Sequence, residues 1–127
     1  MPINQTLEQL LSLLRELCRL PNETEWVEFK HNNADPEMIG EYISALSNSA
    51  ALVGKQSAYV VWGVDDATHD VIGTQFKPSI AKHKQQELES WLLQKTDPKI
   101  HYRYYELIVA HEFPEVILEI QAATHTP

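Results

Sequence analysis

The chain has 127 residues, 43% of them hydrophobic, and a formal net charge of −8. That is the size of one compact domain able to bury a core, with no room for a second. The acidic balance repels a phosphate backbone at long range and argues against strong nonspecific nucleic-acid binding by the surface as a whole.

Leu7, Leu10, Leu11, Leu14, Leu17 and Cys18 recur at helical spacing, Thr6 and Gln9 are placed as a capping box, and Pro21 stops the run. This predicts an amphipathic first helix whose leucine-rich stripe must cover a sheet, another helix or a second copy of the chain. Cys18 lies on that stripe and excludes an intrachain disulfide, which favours a buried thiol in a reducing compartment.

Trp26-Val27-Glu28-Phe29 alternates as a strand, with Val27 and Phe29 on one face and Trp26 and Glu28 on the other. Asp35 and Pro36 then read as the N-cap and first residue of a second helix. Its buried side is Ile39, Tyr42, Ile43, Leu46 and Ala50, and Gly54 closes it. Small residues at Ala45, Ser47, Ser49, Ala50 and Ala51 let it approach a sheet closely. Tyr59 to Val64 is nearly continuously apolar and fits a central strand buried on both faces.

Asp65 to Asp70 has turn composition, with Asp66, Thr68 and Asp70 as candidates for bonding loop amides, and Val71-Ile72-Gly73 reads as a returning strand. A third helix follows Lys77-Pro78, carries Leu88, Trp91 and Leu92, and ends at Asp97-Pro98. Two strands, about 100–110 and 115–120, flank a turn at His111-Glu112-Phe113-Pro114. In the second, Val116, Leu118 and Ile120 alternate against Glu115, Ile117 and Glu119, so one face is expected against the core. The fold class is α+β: a mixed sheet of about five strands with three main helices. The chain stops directly after a strand, so the expectation is a single domain over 1–127 forming the N-terminal part of a longer protein.

No stretch approaches the ~20 apolar residues of a membrane span, and no basic segment precedes an apolar run, so a cytoplasmic location without membrane contact is expected. Six scattered histidines and one cysteine lack zinc-site spacing, and the four glycines form no phosphate-cradling loop. What remains is carboxylate chemistry. If the strand at 26–29 lies beside the one at 59–64, then Glu23, Glu25, Glu28, Asp65 and Asp66 gather at one rim, where oxygen ligands could hold Mg²⁺ or Mn²⁺. The plain alternative is a solvated rim, with Glu28 paired to Lys30 or Lys55. Lys77, Lys82, His83 and Lys84 form a local basic group, read first as a solvated helix end. Tyr102, Tyr104 and Tyr105 flank Arg103 as a candidate base-stacking group, but in an alternating strand Tyr102 and Tyr104 read first as core or interface.

Glu28-Phe29-Lys30 preceded by Glu23 or Glu25, Ala45-Leu46-Ser47-Asn48-Ser49, Gly63-Val64-Asp65-Asp66 and Val71-Ile72-Gly73 occur in that order. In this the chain resembles the Schlafen AlbA-type DNA-binding domain of bacterial and archaeal transcriptional-regulator-like and helicase-like proteins, over roughly residues 21–127. It departs after Asn48, where typical members carry a glycine pair and this chain has Ser49 to Ser57. The resemblance implies a nucleic-acid-binding module of a regulator, without a cofactor, with contacts expected at Lys30, Asn48, Lys55, Lys77, Lys82 and Lys84. In the vertebrate branch it implies a three-carboxylate ribonuclease; the matching positions are Glu23, Glu28 and one of Asp65 or Asp66, holding Mg²⁺ or Mn²⁺. In a straight strand Glu23 and Glu28 face opposite ways, so that reading requires a bend near Thr24. A third expectation is a protein-interaction domain, a homodimer through the first helix.

Overall fold

The capping box forms: the Thr6 hydroxyl accepts from the Gln9 amide at 3.2 Å and the Gln9 side chain accepts from the Thr6 amide at 2.8 Å. It opens helix α1 (Leu7–Cys18), whose Leu10, Leu14 and Leu17 are buried. The structure, a computed structural model, describes residues 5–21 and 24–124. After β1 (Val27–Lys30), Asp35 caps α2 (Pro36–Leu52) by accepting from the Met38 amide, and Gly54 just past its end is left-handed at φ 74°. Then come β2 (Ser57–Trp62), β3 (Lys82–His83), β4 (Gln86–Glu87), α3 (Leu88–Lys95), β5 (Tyr102–Val109) and β6 (Phe113–Gln121).

The main sheet runs β1-β2-β6-β5, with β1 parallel to β2 and the other pairs antiparallel, while β3 and β4 pair separately. The β1-α2-β2 crossover makes the parallel pair and lays α2 on one face, as strand twist dictates for such units. On that face α2 and α3 pack Ile39, Ile43, Leu46 and Leu92 against Val60, Trp62, Val116, Leu118 and Ile120. On the other, Leu10, Leu14 and Leu17 of α1 meet Val27, Phe29, Val61 and Ile117. Leu10, Leu14 and Leu17 of the stripe are therefore spent on the sheet, whereas Leu11 is only partly buried and Leu7 is exposed. Ser47 and Ala50 are the small residues at the α2 contact, and the Ser47 hydroxyl donates to the Gln121 carbonyl at 2.8 Å.

The α+β class and mixed sheet hold, with four strands in the main sheet and a separate two-stranded ribbon. Three details differ from the sequence expectation. Val71-Ile72-Gly73 makes only an isolated bridge, Val64 to Val71, because its amides turn back onto the Gly63 carbonyl. The β3–β4 ribbon occupies part of the stretch expected to be helical, and Lys84 and Gln85 at its tip have φ of 52° and 65°, which no helix accommodates. Finally, β6 is covered on both faces: α1 closes over the side that carries Ile117 and Glu115, leaving Glu115 only 1% exposed. Among the described residues no helix is long and apolar enough to cross a membrane.

Candidate functional site

Parallel pairing sets the geometry. The register runs from Val27 opposite Tyr59 to Lys30 opposite Trp62, so both strands end at the same rim. The Gly63 amide donates to the Lys30 carbonyl at 2.8 Å, and the 65–70 loop therefore leaves the sheet beside the end of β1. Such carboxyl-terminal rims of parallel strands are where α/β layers usually present their ligand-binding groups.

Glu28 and Lys30 are half-buried on the α2 side of β1. Burial holds the Glu28 carboxyl above the usual carboxylate range; Lys30 opposes this and Asp66 adds to it. Asp66 thus stands within electrostatic reach of Glu28. Lys30 links the group to α2. Its ammonium lies 5.5 Å from the Tyr42 ring centroid, and a hydrogen bond with Tyr42, followed by the charges of Glu28 and Asp66, raises its pKa against the opposing effect of burial.

Asp65 has a different task. Its Oδ1 accepts from the amides of Ala67 and Thr68, both at 2.9 Å, and these bonds hold its pKa below the usual range. It shapes the loop, while Asp66 is exposed and acts electrostatically on Glu28 and Lys30. Asp65 and Thr68 are therefore the loop's amide acceptors, where the composition pointed to Asp66, Thr68 and Asp70. The base of the rim is fixed from below: Trp62 Nε1 donates to the Asn33 carbonyl at 2.7 Å, and Asn32 Oδ1 accepts from the Thr74 hydroxyl and the Gln75 amide.

Glu23 lies outside the described residues. Thr24, where a bend was required, precedes the turn at Glu25 and Trp26, and its hydroxyl donates to the Pro21 carbonyl at 2.8 Å. Among the described residues no three His, Cys, Asp or Glu side chains are grouped to hold a metal ion. Glu28 and Asp66 make a pair of carboxylates, and a divalent cation is the kind of group that would relieve their mutual repulsion.

The expected basic contacts divide. Lys30 and Lys55 lie along β1, with Lys55 Nζ 4.8 Å from the Trp26 centroid. Asn48 is exposed on α2, and Lys77, Lys82 and Lys84 are exposed in and around the β3–β4 ribbon. Trp26 and Tyr42, as partners of these lysines, were not singled out by sequence reasoning. The signal existed in Glu28 and Lys30 sharing one face of a short strand at the sheet's edge, with Trp26 in the turn just before it.

Reasoning from sequence also missed Glu115. Its carboxylate packs against Gly63, where a Cβ would collide with it, and Oε2 accepts from the Gly73 amide at 3.1 Å. Both glycines have positive φ, 102° and 82°, so the two ends of the 65–70 loop close around this buried acid. Burial pushes its pKa up to about 8, against the lowering effect of the Gly73 bond. Cys18 is half-buried on α1, and its thiol is pushed up to about 11, chiefly by burial, which makes it a poor nucleophile.

A three-layer α+β domain with a charged rim at the ends of its parallel strands is the class of protein these observations define. Residues 23–127 match the family model described as Schlafen, AlbA_2, and the chain belongs to that family. Membership is consistent with a nucleic-acid-binding domain. No curated protein matches the chain.

Proposed function

We propose that this domain is the nucleic-acid-binding module of a regulator-like protein and that it contacts its ligand along β1. The observation that carries the reading is the strip made by Glu28 and Lys30 on one face of β1, Trp26 in the turn before it with Lys55 over the indole, and Tyr42 beside Lys30. Cations for phosphates and rings for bases alternate along it, the combination that single-stranded and loop recognition uses. The acidic net charge confines binding to such a local strip and makes it salt-sensitive. Lys77, Lys82 and Lys84 extend the phosphate contacts from the β3–β4 ribbon, and Asn48 from α2. Retarded migration of single-stranded DNA or RNA at low salt is the expected result; unchanged migration of every DNA and RNA probe would remove the reading.

A second reading is a metal-dependent nuclease, and Glu28 beside Asp66 is the observation that favours it. Glu23, Glu28 and Asp66, with Asp65 supporting the loop, would hold Mg²⁺ or Mn²⁺, and the ion when bound would supply an activated water and charge neutralisation at phosphorus. Lys30 would then anchor the phosphate next to the carboxylates. Because Glu28 must be ionised to serve as a ligand, its raised pKa predicts that cleavage falls as pH is lowered through the value of that group. On this reading Glu28→Ala lowers cleavage of structured RNA by about a hundredfold or more, read on gels with Mn²⁺ present. RNA left intact by the wild-type protein would end it. Dimerisation through α1 has less behind it, since Leu10, Leu14 and Leu17 are buried against the sheet.

A further inference from the structure

On the opposite side of the sheet from β1's charged face, a cleft of about 460 Å³ opens between α1, the end of the 65–70 loop and the β5–β6 turn. Its walls are Leu11, Leu14, Val71 and Val109, with Cys18, whose thiol is held neutral, between them. Arg15 of α1 and Arg19, the C-cap residue that follows the helix, also line it, and both are exposed. They are two of the chain's three arginines. No hydrogen bond or ion pair engages either guanidinium among the described residues.

An apolar pocket of this size with a few convergent polar groups is the form small-molecule sites take. Two guanidiniums gathered at one apolar opening in a chain of net charge −8 run against the protein's overall field, and they select a ligand of opposite sign. Ala110 and His69 complete the lining, and the His69 ring contacts Phe29 at 4.4 Å between centroids while its Nδ1 lies 3.1 Å from the Cys18 carbonyl oxygen. His69 belongs to the same loop as Asp66, so an occupant of the cleft would touch the loop that shapes the opposite rim.

We propose that this cleft binds an amphipathic carboxylate, with an acyl chain against Leu11, Leu14, Val71 and Val109 and a carboxylate between Arg15 and Arg19. Arginine is suited to the head group because its planar fork pairs with a carboxylate through two parallel hydrogen bonds. The chain buries apolar surface that α1 and the β5–β6 turn leave open.

The test is calorimetric titration of the intact chain with decanoate below its micelle concentration, beside decanol and decylammonium as uncharged and cationic controls. Decanoate is expected to bind most tightly of the three. Arg15→Glu with Arg19→Glu is expected to weaken decanoate by about tenfold or more while leaving decanol unchanged. Both positions are exposed, so the variant should fold. Arg15 also lies in the last turn of α1, where a cation favours the helix dipole, so its melting temperature is measured alongside. Absence of decanoate binding, equal binding of decylammonium, or undiminished decanoate affinity in the double variant would each overturn the proposal.

Discussion

Gly63→Ala is expected to lower stability by about 3 kcal/mol or more, about 10 °C in melting temperature for a domain of this size. Two costs combine. The residue sits at φ 102°, where an L side chain is strained, and the added Cβ would run into the Glu115 carboxylate. That carboxylate cannot swing aside easily, because its residue is 1% exposed and Oε2 is bonded to the Gly73 amide. Pairing the substitution with Glu115→Ala separates the costs: the collision disappears and the backbone strain stays. Denaturant unfolding should therefore show strong coupling between the two positions. Strict additivity would mean that the glycine's role is conformational alone.

Glu115→Gln carries the second large effect, and it depends on pH. In the wild type the acid's pKa rises from 4.5 to about 8 on folding because burial disfavours the charged form more than the Gly73 bond favours it. The folded state then holds a proton that the unfolded state has released. This group's contribution is therefore fully present below pH 4.5 and is lost as pH rises through about 8. The loss expected is about 3 kcal/mol over that window, discounted from the full linkage value for relaxation around the carboxylate. The amide variant has no proton to lose and can still accept from the Gly73 amide. It should flatten the pH dependence and be more stable than wild type near pH 8. Parallel stability curves for the two proteins from pH 5 to 9 would show instead that Glu115 is ionised and solvated at little cost.

Much of the fold was legible because its signals are local. The Thr6–Gln9 box, the Asp35-Pro36 start and the leucine stripe of α1 each fix an element by chemistry within a few residues. The faces of β1 followed from alternation, and the central position of β2 from its apolar run. The β3–β4 ribbon was not legible, because its left-handed tip at Lys84-Gln85 carries no glycine to announce it. Glu115 was hidden for a different reason. Whether β6 is covered once or twice depends on where α1 docks, a long-range choice that alternation along β6 cannot encode.

At the rim the sequence named Glu28, Lys30, Asp65 and Asp66, and chain topology explains why they converge. It could not divide labour between the aspartates, since that depends on which side chain captures the Ala67 and Thr68 amides. Nor could it show the pairing of Lys30 with Tyr42, or of Lys55 with Trp26, because each crosses from one element to another. Those two pairs set cations against aromatic rings at the sheet's edge strand, and the proposed nucleic-acid contact rests on them.

Fluorescence anisotropy with a labelled single-stranded probe at low salt tests that strip most directly, comparing wild type, Lys30→Glu with Lys55→Glu, and Lys82→Glu with Lys84→Glu. The β1 pair should lose about tenfold or more in affinity and the ribbon pair clearly less. Full affinity in the Lys30 and Lys55 variant, with binding abolished by the ribbon charges alone, would contradict the assignment.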